Sequence, residues 1–349
     1  MAGVTYKCPN CGAYLTFDPD SQQWKCPFCS SAFPETELKG KAEAFQKEAD
    51  KEAEQSSGAQ VVYHCPSCGS EIMTDETTVA THCYYCHSPV VLQGKLTADM
   101  KPDEVLTFTI GREKAIEEIS EWIRTRKFVP KKFFSKAQIQ EMSGVYYPHF
   151  VSECQTEGVL DGEATTSDVF DEGKYVVTNT RHYHVRREGR FVFKDILRPA
   201  LSKANRKLTE GVHPFPLEDA KPFSGAFLSG FLAERRDLEA DSYRQEIEQE
   251  LQGYMNSMLR DTASQYQTCS ANTTAAVKKI KTKYVLLPTW VLTYPNKKNK
   301  DEPYYYVMNG CTGQVCGKLP VDQGRLWRHG LLAGLIVAAL FCVLAYFLF

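Results

Sequence analysis

The sequence predicts an α+β fold: two small N-terminal cysteine ribbons, a body of mixed helices and antiparallel sheet, and one C-terminal transmembrane helix. Three observations carry this. Cysteines cluster in four Cys-x-x-Cys pairs before residue 90, the middle of the chain mixes helical with strand-like periodicity, and the last 20 residues are apolar. At 349 residues the chain has room for about two domains and a substantial core. Charged residues make up 24% and the formal net charge is -2, so no global signature of a nucleic-acid binder or an acidic tail is present.

The first ribbon is placed at residues 1–33. Cys8, Cys11, Cys26 and Cys29 have the pattern Cys-x2-Cys-x14-Cys-x2-Cys. Residues 61–95 form the second ribbon, where Cys65, Cys68, Cys83 and Cys86 repeat the pattern at a constant offset of 57. A Cys-x-x-Cys turn lets two sulfurs face one ion, and the small Gly12 and Gly69 relieve crowding where amides turn toward the sulfurs. Four thiolates with no open position make a structural site, so the expectation is two Zn²⁺ ions, each stabilising a module too small to fold alone. Rubredoxin-like iron is the competing metal, since "YKCPNCG" resembles a rubredoxin knuckle. Disulfide pairing is the other alternative. His64, His82 and His87 lie nearby but are not needed to complete a quartet.

Between the ribbons, residues 34–60 are rich in Ala, Glu and Lys and then run into Ser, Ser and Gly. A short solvated helix and a flexible joint are expected, leaving the first ribbon free to move relative to the second. The body, residues 96–322, begins with a helix on which Ala115, Ile116, Ile119, Trp122 and Ile123 recur at helical spacing. From Gly144 to about Phe193 apolar and polar residues alternate, with turn signals at "DG" and "EGR", which predicts several hairpins. A second helix is expected from Leu238 to Asp261, with Ile247, Leu251, Tyr254, Met255, Met258 and Leu259 on one side, and strands resume from Tyr284. "VYYPHFVSE" from Val145 resembles "VLLPTWVLT" from Val285, an offset of 140. Two related helix-and-strand units are one explanation, and a chance likeness of buried strands beginning near a proline is the other. "YYYVMNGCTGQVCGKLP" reads as a last hairpin turning through Asn309, Gly310, Thr312 and Gly313.

Residues 323–349 are the juxtamembrane segment and span. Gly330 to Phe349 holds no charged, amide-bearing or proline side chain, and at ~1.5 Å per residue reaches about 30 Å, the thickness of a bilayer's hydrocarbon. Lys318, Arg325 and Arg328 precede the span and the N-terminus lacks an apolar signal region. The expected placement is therefore a single-pass membrane protein with its bulk in the cytoplasm, where thiolates stay reduced.

Ribbon one balances Lys7 and Lys25 against Asp18 and Asp20, and ribbon two has no Lys or Arg against Glu71, Asp75 and Glu76. Such modules lack the cations that neutralise phosphate, so protein partners are expected rather than nucleic acid. The densest basic segment, residues 124–136, carries Arg124, Arg126, Lys127, Lys131, Lys132 and Lys136 interleaved with Phe128, Phe133 and Phe134. Anionic lipid or a partner could bind there, or it is a solvated helix end with its aromatics in the core. His182 and His184 share one strand face without a nearby carboxylate or cysteine in sequence, and read as an ordinary surface or core pair. Cys311 and Cys316 flank the last turn and read as free thiols, with a redox role left open. No Gly-rich phosphate loop, His-Glu-x-x-His or Gly-x-Ser-x-Gly is present, and no catalysis is expected.

"YHCPSCGSEIMTDETTVATHCYYCHSPVVL", "KFVPKKFF", "HYHVRREG", "FLSGFLAE" and "NGCTGQVCGKLP" together resemble bacterial membrane-anchored double-zinc-ribbon proteins, the transcription-factor-IIB-type zinc-ribbon group. The resemblance covers most of residues 1–320. Through members similar to components of envelope-stress operons, it implies an adaptor that recruits a scaffold protein to the membrane. A membrane-tethered nucleic-acid-binding regulator is the alternative function, and the sequence holds no signal for oligomeric state.

Overall fold

The computed structural model describes residues 6–38, 61–64, 71–74, 77–82, 89–91, 100–130, 142–202, 204, 206–294 and 304–348. Ribbon one contributes β1 (Thr16–Asp18), β2 (Gln23–Lys25) and β3 (Ala32–Phe33), paired antiparallel in that order. β4 (Val61–His64) pairs with β5 (Glu71–Thr74), and β6 (Thr78–His82) with β7 (Pro89–Val91). The body then runs β8 (Glu104–Val105), α1 (Arg112–Arg124), β9 (Ser143–Glu172), β10 (Tyr175–Pro199), α2 (Arg206–Glu210), β11 (Lys221–Pro222), β12 (Leu232–Glu234), α3 (Arg244–Asp261), β13 (Thr268–Tyr294), β14 (Tyr304–Asn309) and β15 (Val315–Lys318). α4 (Gln323–Leu348) follows. The architecture is α+β and mostly sheet, as expected.

Ten strands form one sheet in the order β11-β8-β13-β9-β12-β6-β7, with β10 added to β9 and β14 then β15 added to β13. Its centre is the antiparallel pair β9 and β13, and the 140-residue offset acquires a geometric meaning there. Tyr147 pairs with Leu287, its counterpart at that offset, so the two segments meet about a local two-fold axis. Their surroundings correspond as well. β12 runs parallel to β9 (Leu232 opposite Val145), and β8 runs parallel to β13 (Glu104 opposite Val285). Pro199 of β10 pairs with His149, and Asn309 of β14 with Thr289. The amide of Ala200 donates to Pro148 O and that of Gly310 to Pro288 O, both at 2.9 Å. Each half is thus a strand, a helix, a long strand and its antiparallel partner: β8-α1-β9-β10, then β12-α3-β13-β14.

Several elements differ from the sequence reading. β9 and β10 make one long hairpin turning at Gly173 and Lys174, and the "DG" and "EGR" signals lie within its ladder, with Asp161 opposite Arg186 and Gly189 opposite Gly158. These glycines mark close approach rather than turns. A Cβ on Gly162 would lie 2.3 Å from Ser270 O and 2.4 Å from Ala271 Cα on β13. The second helix begins at Arg244, after a 3-10 turn at Ala240–Tyr243. Ile247, Leu251, Met255 and Leu259 are buried against Cys154, Leu160 and Ala164 of β9, while Tyr254 and Met258 face solvent because four positions suffice to cover that sheet face. Strand structure resumes at Thr268, sixteen residues before Tyr284, since the polar run from Thr268 is held by backbone pairing to β9 rather than by burial. The last hairpin turns where expected, Asn309 Oδ1 accepting from the amides of Cys311 (2.8 Å) and Thr312 (3.1 Å).

The main core is aromatic. Phe108 stacks on Phe231 with centroids 4.4 Å apart, and Tyr146 and Trp290 lie 5.1 and 5.0 Å from Phe108. Tyr6, Leu15, Phe17, Trp24 and Phe33 of ribbon one belong to the same cluster of buried side chains. The expected helix and joint at 34–60 are described only as far as Leu38, where Glu35–Leu38 are helical. At the other end α4 is long and apolar enough to cross a bilayer, and none of its apolar window is buried.

Candidate metal centre

Two knuckles of matching geometry bring the first quartet together. In one, Cys8 N donates to Ala13 O (2.7 Å) and Gly12 N to Cys8 O (2.9 Å). In the other, Cys26 N donates to Ser31 O (2.8 Å) and Ser30 N to Cys26 O (3.0 Å). Gly12 has a φ of 75° and Ser30 one of 58°, so both knuckles turn through the left-handed region just after the second cysteine. The sequence marked the first such position by its glycine and concealed the second behind a serine.

The four Sγ atoms lie within 4.8 Å of one another. Cys8 and Cys29 are 3.5 Å apart, Cys11 and Cys26 3.5 Å, and Cys11 and Cys29 3.7 Å. With Zn–S bonds of about 2.3 Å, the edge of a tetrahedron of sulfurs is about 3.8 Å, so the quartet fits one zinc ion after a slight expansion. Cys8 and Cys26 are buried and Cys11 and Cys29 exposed, which gives the site a core-facing and a solvent-facing half. The hydroxyl of Ser31, 3.3 Å from Cys29 Sγ, and its amide favour the thiolate and pull Cys29 down to about 6. Against a backbone hydrogen bond at Ala13 that favours its thiolate, Cys26 and the other neighbouring sulfurs raise Cys11 to about 12. Among bare thiols, then, Cys29 is the first of the two to offer a negative sulfur, and a cation would draw the others after it.

The site is held by the body. Trp24 Nε1 donates to Ala226 O (3.1 Å), the amide of Phe17 to Ser229 O (3.0 Å) and Ser229 Oγ to Leu15 O (2.5 Å). Gln22 Nε2 donates to Phe108 O (2.8 Å), and the amide of Gly111 donates to Asp20 Oδ1 (3.1 Å). Phe17 and Trp24 flank Phe227 with centroids 5.5 and 5.3 Å away. Ribbon one is therefore docked on the body: Trp24, 1% exposed, is a core residue of both. Within the ribbon Lys25 pairs with Asp18 (2.7 Å) and Lys7 lies over the Tyr14 ring (5.5 Å), while Phe28, between Cys26 and Cys29, is 75% exposed.

The second quartet, Cys65, Cys68, Cys83 and Cys86, lies outside the described residues, as do Gly69 and His87. The strand pairs on either side of it, β4 with β5 and β6 with β7, are described, and β6 joins the body through Ala80 opposite Ala233 of β12. In the basic segment, Lys131, Lys132, Phe133, Phe134 and Lys136 also lie outside, while Arg124, Arg126 and Lys127 are exposed. His182 and His184 are exposed on β10, and across the ladder Asp161 comes within 3.1 Å of His184 Nε2, a carboxylate that local sequence could not reveal. Cys311 and Cys316 are free thiols. Burial pushes Cys311 up to about 12, a poor state for a nucleophile.

One titratable group went unnoticed in the sequence. His149, in the central strand β9, is 1% exposed, with Nδ1 3.1 Å from Tyr147 O and no hydrogen-bond partner for Nε2 among the described residues. Burial, reinforced by the nearby His213, lowers it to about 4, against the favourable bond at Tyr147. No charge pattern announces such a residue, because what matters is its place in the sheet.

No family model matches the chain, and no solved structure matches it. It is 27% identical over 338 residues to a protein of Bacillus subtilis (strain 168) named "Uncharacterized protein YdjG", an alignment covering 96% of each chain. The similarity therefore extends over nearly the whole chain.

Proposed function

We propose that this chain is a membrane-anchored zinc-binding adaptor, in which α4 holds the body at the cytoplasmic face of a bilayer and the ribbons present surfaces for protein partners. In this reading Cys8, Cys11, Cys26 and Cys29 hold one structural Zn²⁺ and Cys65, Cys68, Cys83 and Cys86 a second. The similarity to bacterial double-zinc-ribbon proteins suggests a scaffold protein recruited in envelope stress as the partner. Binding rather than catalysis is the role we assign.

The observation that carries the reading is Phe28. A large aromatic side chain, 75% exposed at the tip of a metal knuckle, gains nothing for folding from that position, yet it suits the centre of a protein interface. The docked ribbon presents it without the ordering cost of a mobile module. Cations in the same ribbon are engaged, Lys25 by Asp18 and Lys7 over Tyr14, which disfavours the nucleic-acid alternative. The test compares proteins co-purifying with the intact chain and with Phe28→Ser from membranes. Loss of a specific partner with zinc content unchanged supports the reading; full retention removes the knuckle of ribbon one as the recruiting surface. A salt-dependent shift of DNA or RNA by the intact chain would favour the alternative instead.

A further inference from the structure

The basic segment beginning at Arg124 and the start of α4 lie far apart in sequence but are joined in the structure. Asp322 caps α4, its Oδ1 accepting from Arg325 N (3.1 Å) and its carbonyl from Leu326 N (3.0 Å), and its own amide donates to Phe128 O (2.7 Å). Phe128 also sets its ring edge-on against His329, centroids 5.6 Å apart. His329 is the last polar residue before the apolar run from Gly330. Phe128 is therefore not a core residue below a solvated helix end. It fixes the basic segment at the level where α4 passes from polar to apolar.

The exposed charges this joint brings together are mostly basic. Arg124, Arg126, Lys127 and Arg328 are exposed, with Arg126 lying 4.7 Å over the ring of Trp122. Asp322 is occupied by its capping role and by Arg325 at 3.7 Å. Trp327, 70% exposed, directly precedes Arg328 on α4, and an indole at the polar edge of an apolar helix is the usual mark of a headgroup layer.

We propose that Arg124, Arg126, Lys127 and Arg328, held by the Phe128 contacts, form a binding surface for anionic phospholipid headgroups around the entry point of α4. The surface rests on the reading of α4 as a membrane span and adds a lipid preference to it. Cations held within a few ångströms of the bilayer attract anionic headgroups over zwitterionic ones, and they act together because one carbonyl and one ring fix their segment to the span.

The test is hydrogen exchange of the intact chain in nanodiscs of phosphatidylcholine alone and of phosphatidylcholine with phosphatidylglycerol. Amides of residues 124–129 should exchange at least about threefold more slowly in the anionic discs, and the triple variant Arg124→Gln, Arg126→Gln, Lys127→Gln should abolish the difference. Equal exchange in the two discs, or a difference the triple variant leaves intact, overturns the proposal. Protection conferred equally by free glycerol phosphate with neutral discs would also overturn it, showing a phosphate site indifferent to membrane. Residues 330–348 separate the two levels of failure. If they exchange freely in both discs the membrane reading itself fails; if they are protected while 124–129 do not respond, only the lipid surface fails.

Discussion

Acidification should unfold this protein partly through one histidine. His149 is held at about 4 by burial, against 6.5 for a free imidazole, and is therefore neutral in the fold and protonated in the unfolded chain between those values. Because the folded value is the lower, the stability is fully present above pH 6.5 and is lost as the pH falls toward 4. A gap of two to three pH units, at about 1.4 kcal/mol each, sets a total loss of about 3 kcal/mol, of which about 2 kcal/mol falls between pH 7.5 and pH 5. His149→Leu removes the titration and the bond to Tyr147 O, so the variant is less stable at neutral pH yet loses less on acidification. Urea unfolding of both proteins in the same micelles, with zinc in excess, isolates the effect: carboxylates and zinc thiolates titrate alike in the two and cancel. The difference between their losses should approach about 2 kcal/mol. Equal losses would mean that the folded protein accommodates a charged His149, and the burial argument would fail.

Three further outcomes are expected. Trp24→Ala should destabilise the whole body, not ribbon one alone, by about 3–5 kcal/mol, seen as a single shifted thermal transition; a separate early transition would mean that ribbon and body fold independently. Cys29→Ser should remove one equivalent of zinc and lower that same transition, and metal analysis together with calorimetry on the variant checks both. Gly162→Ala should cost about 1–3 kcal/mol in urea unfolding because its Cβ would press on Ser270 and Ala271, and an unchanged midpoint would show that β13 can withdraw there.

The sequence made the first quartet readable as a candidate metal site because such a cluster is written in local spacing, and the knuckles of Cys8, Cys11, Cys26 and Cys29 need nothing from the rest of the chain to be recognised. The apolar run of α4 was equally local. What stayed hidden depends on contacts between distant residues. Trp24 and Ala226 are 202 positions apart, and nothing near Trp24 says that its indole will sit under a loop of the body. The glycines at 162 and 189 read as punctuation because the sequence does not show that both lie inside one ladder, or that a Cβ at 162 would meet Ser270 and Ala271 of the neighbouring strand. The internal repeat was thin as a match of side chains and clear as a match of pairings, because register is set by the backbone while the side chains of the two halves have diverged.

The central pairing also has a consequence in time. β9 completes its hairpin with β10 at Pro199, but among the described residues its other edge is covered by β13, which ends at Tyr294. At about 5–20 residues per second, a ribosome takes roughly 5–20 s to supply that partner. During the interval the inner edge of a 30-residue strand is open to any other extended chain. The partner that eventually fills it carries Lys278, Lys279, Lys281 and Lys283 in close succession, an arrangement that discourages β13 from pairing with a second copy of itself while leaving it free to meet Glu153 and Glu157 on β9. Newly made chains are thus most exposed to misassembly in the seconds between their two halves, and the lysines of the second half act in that window before they serve the finished fold.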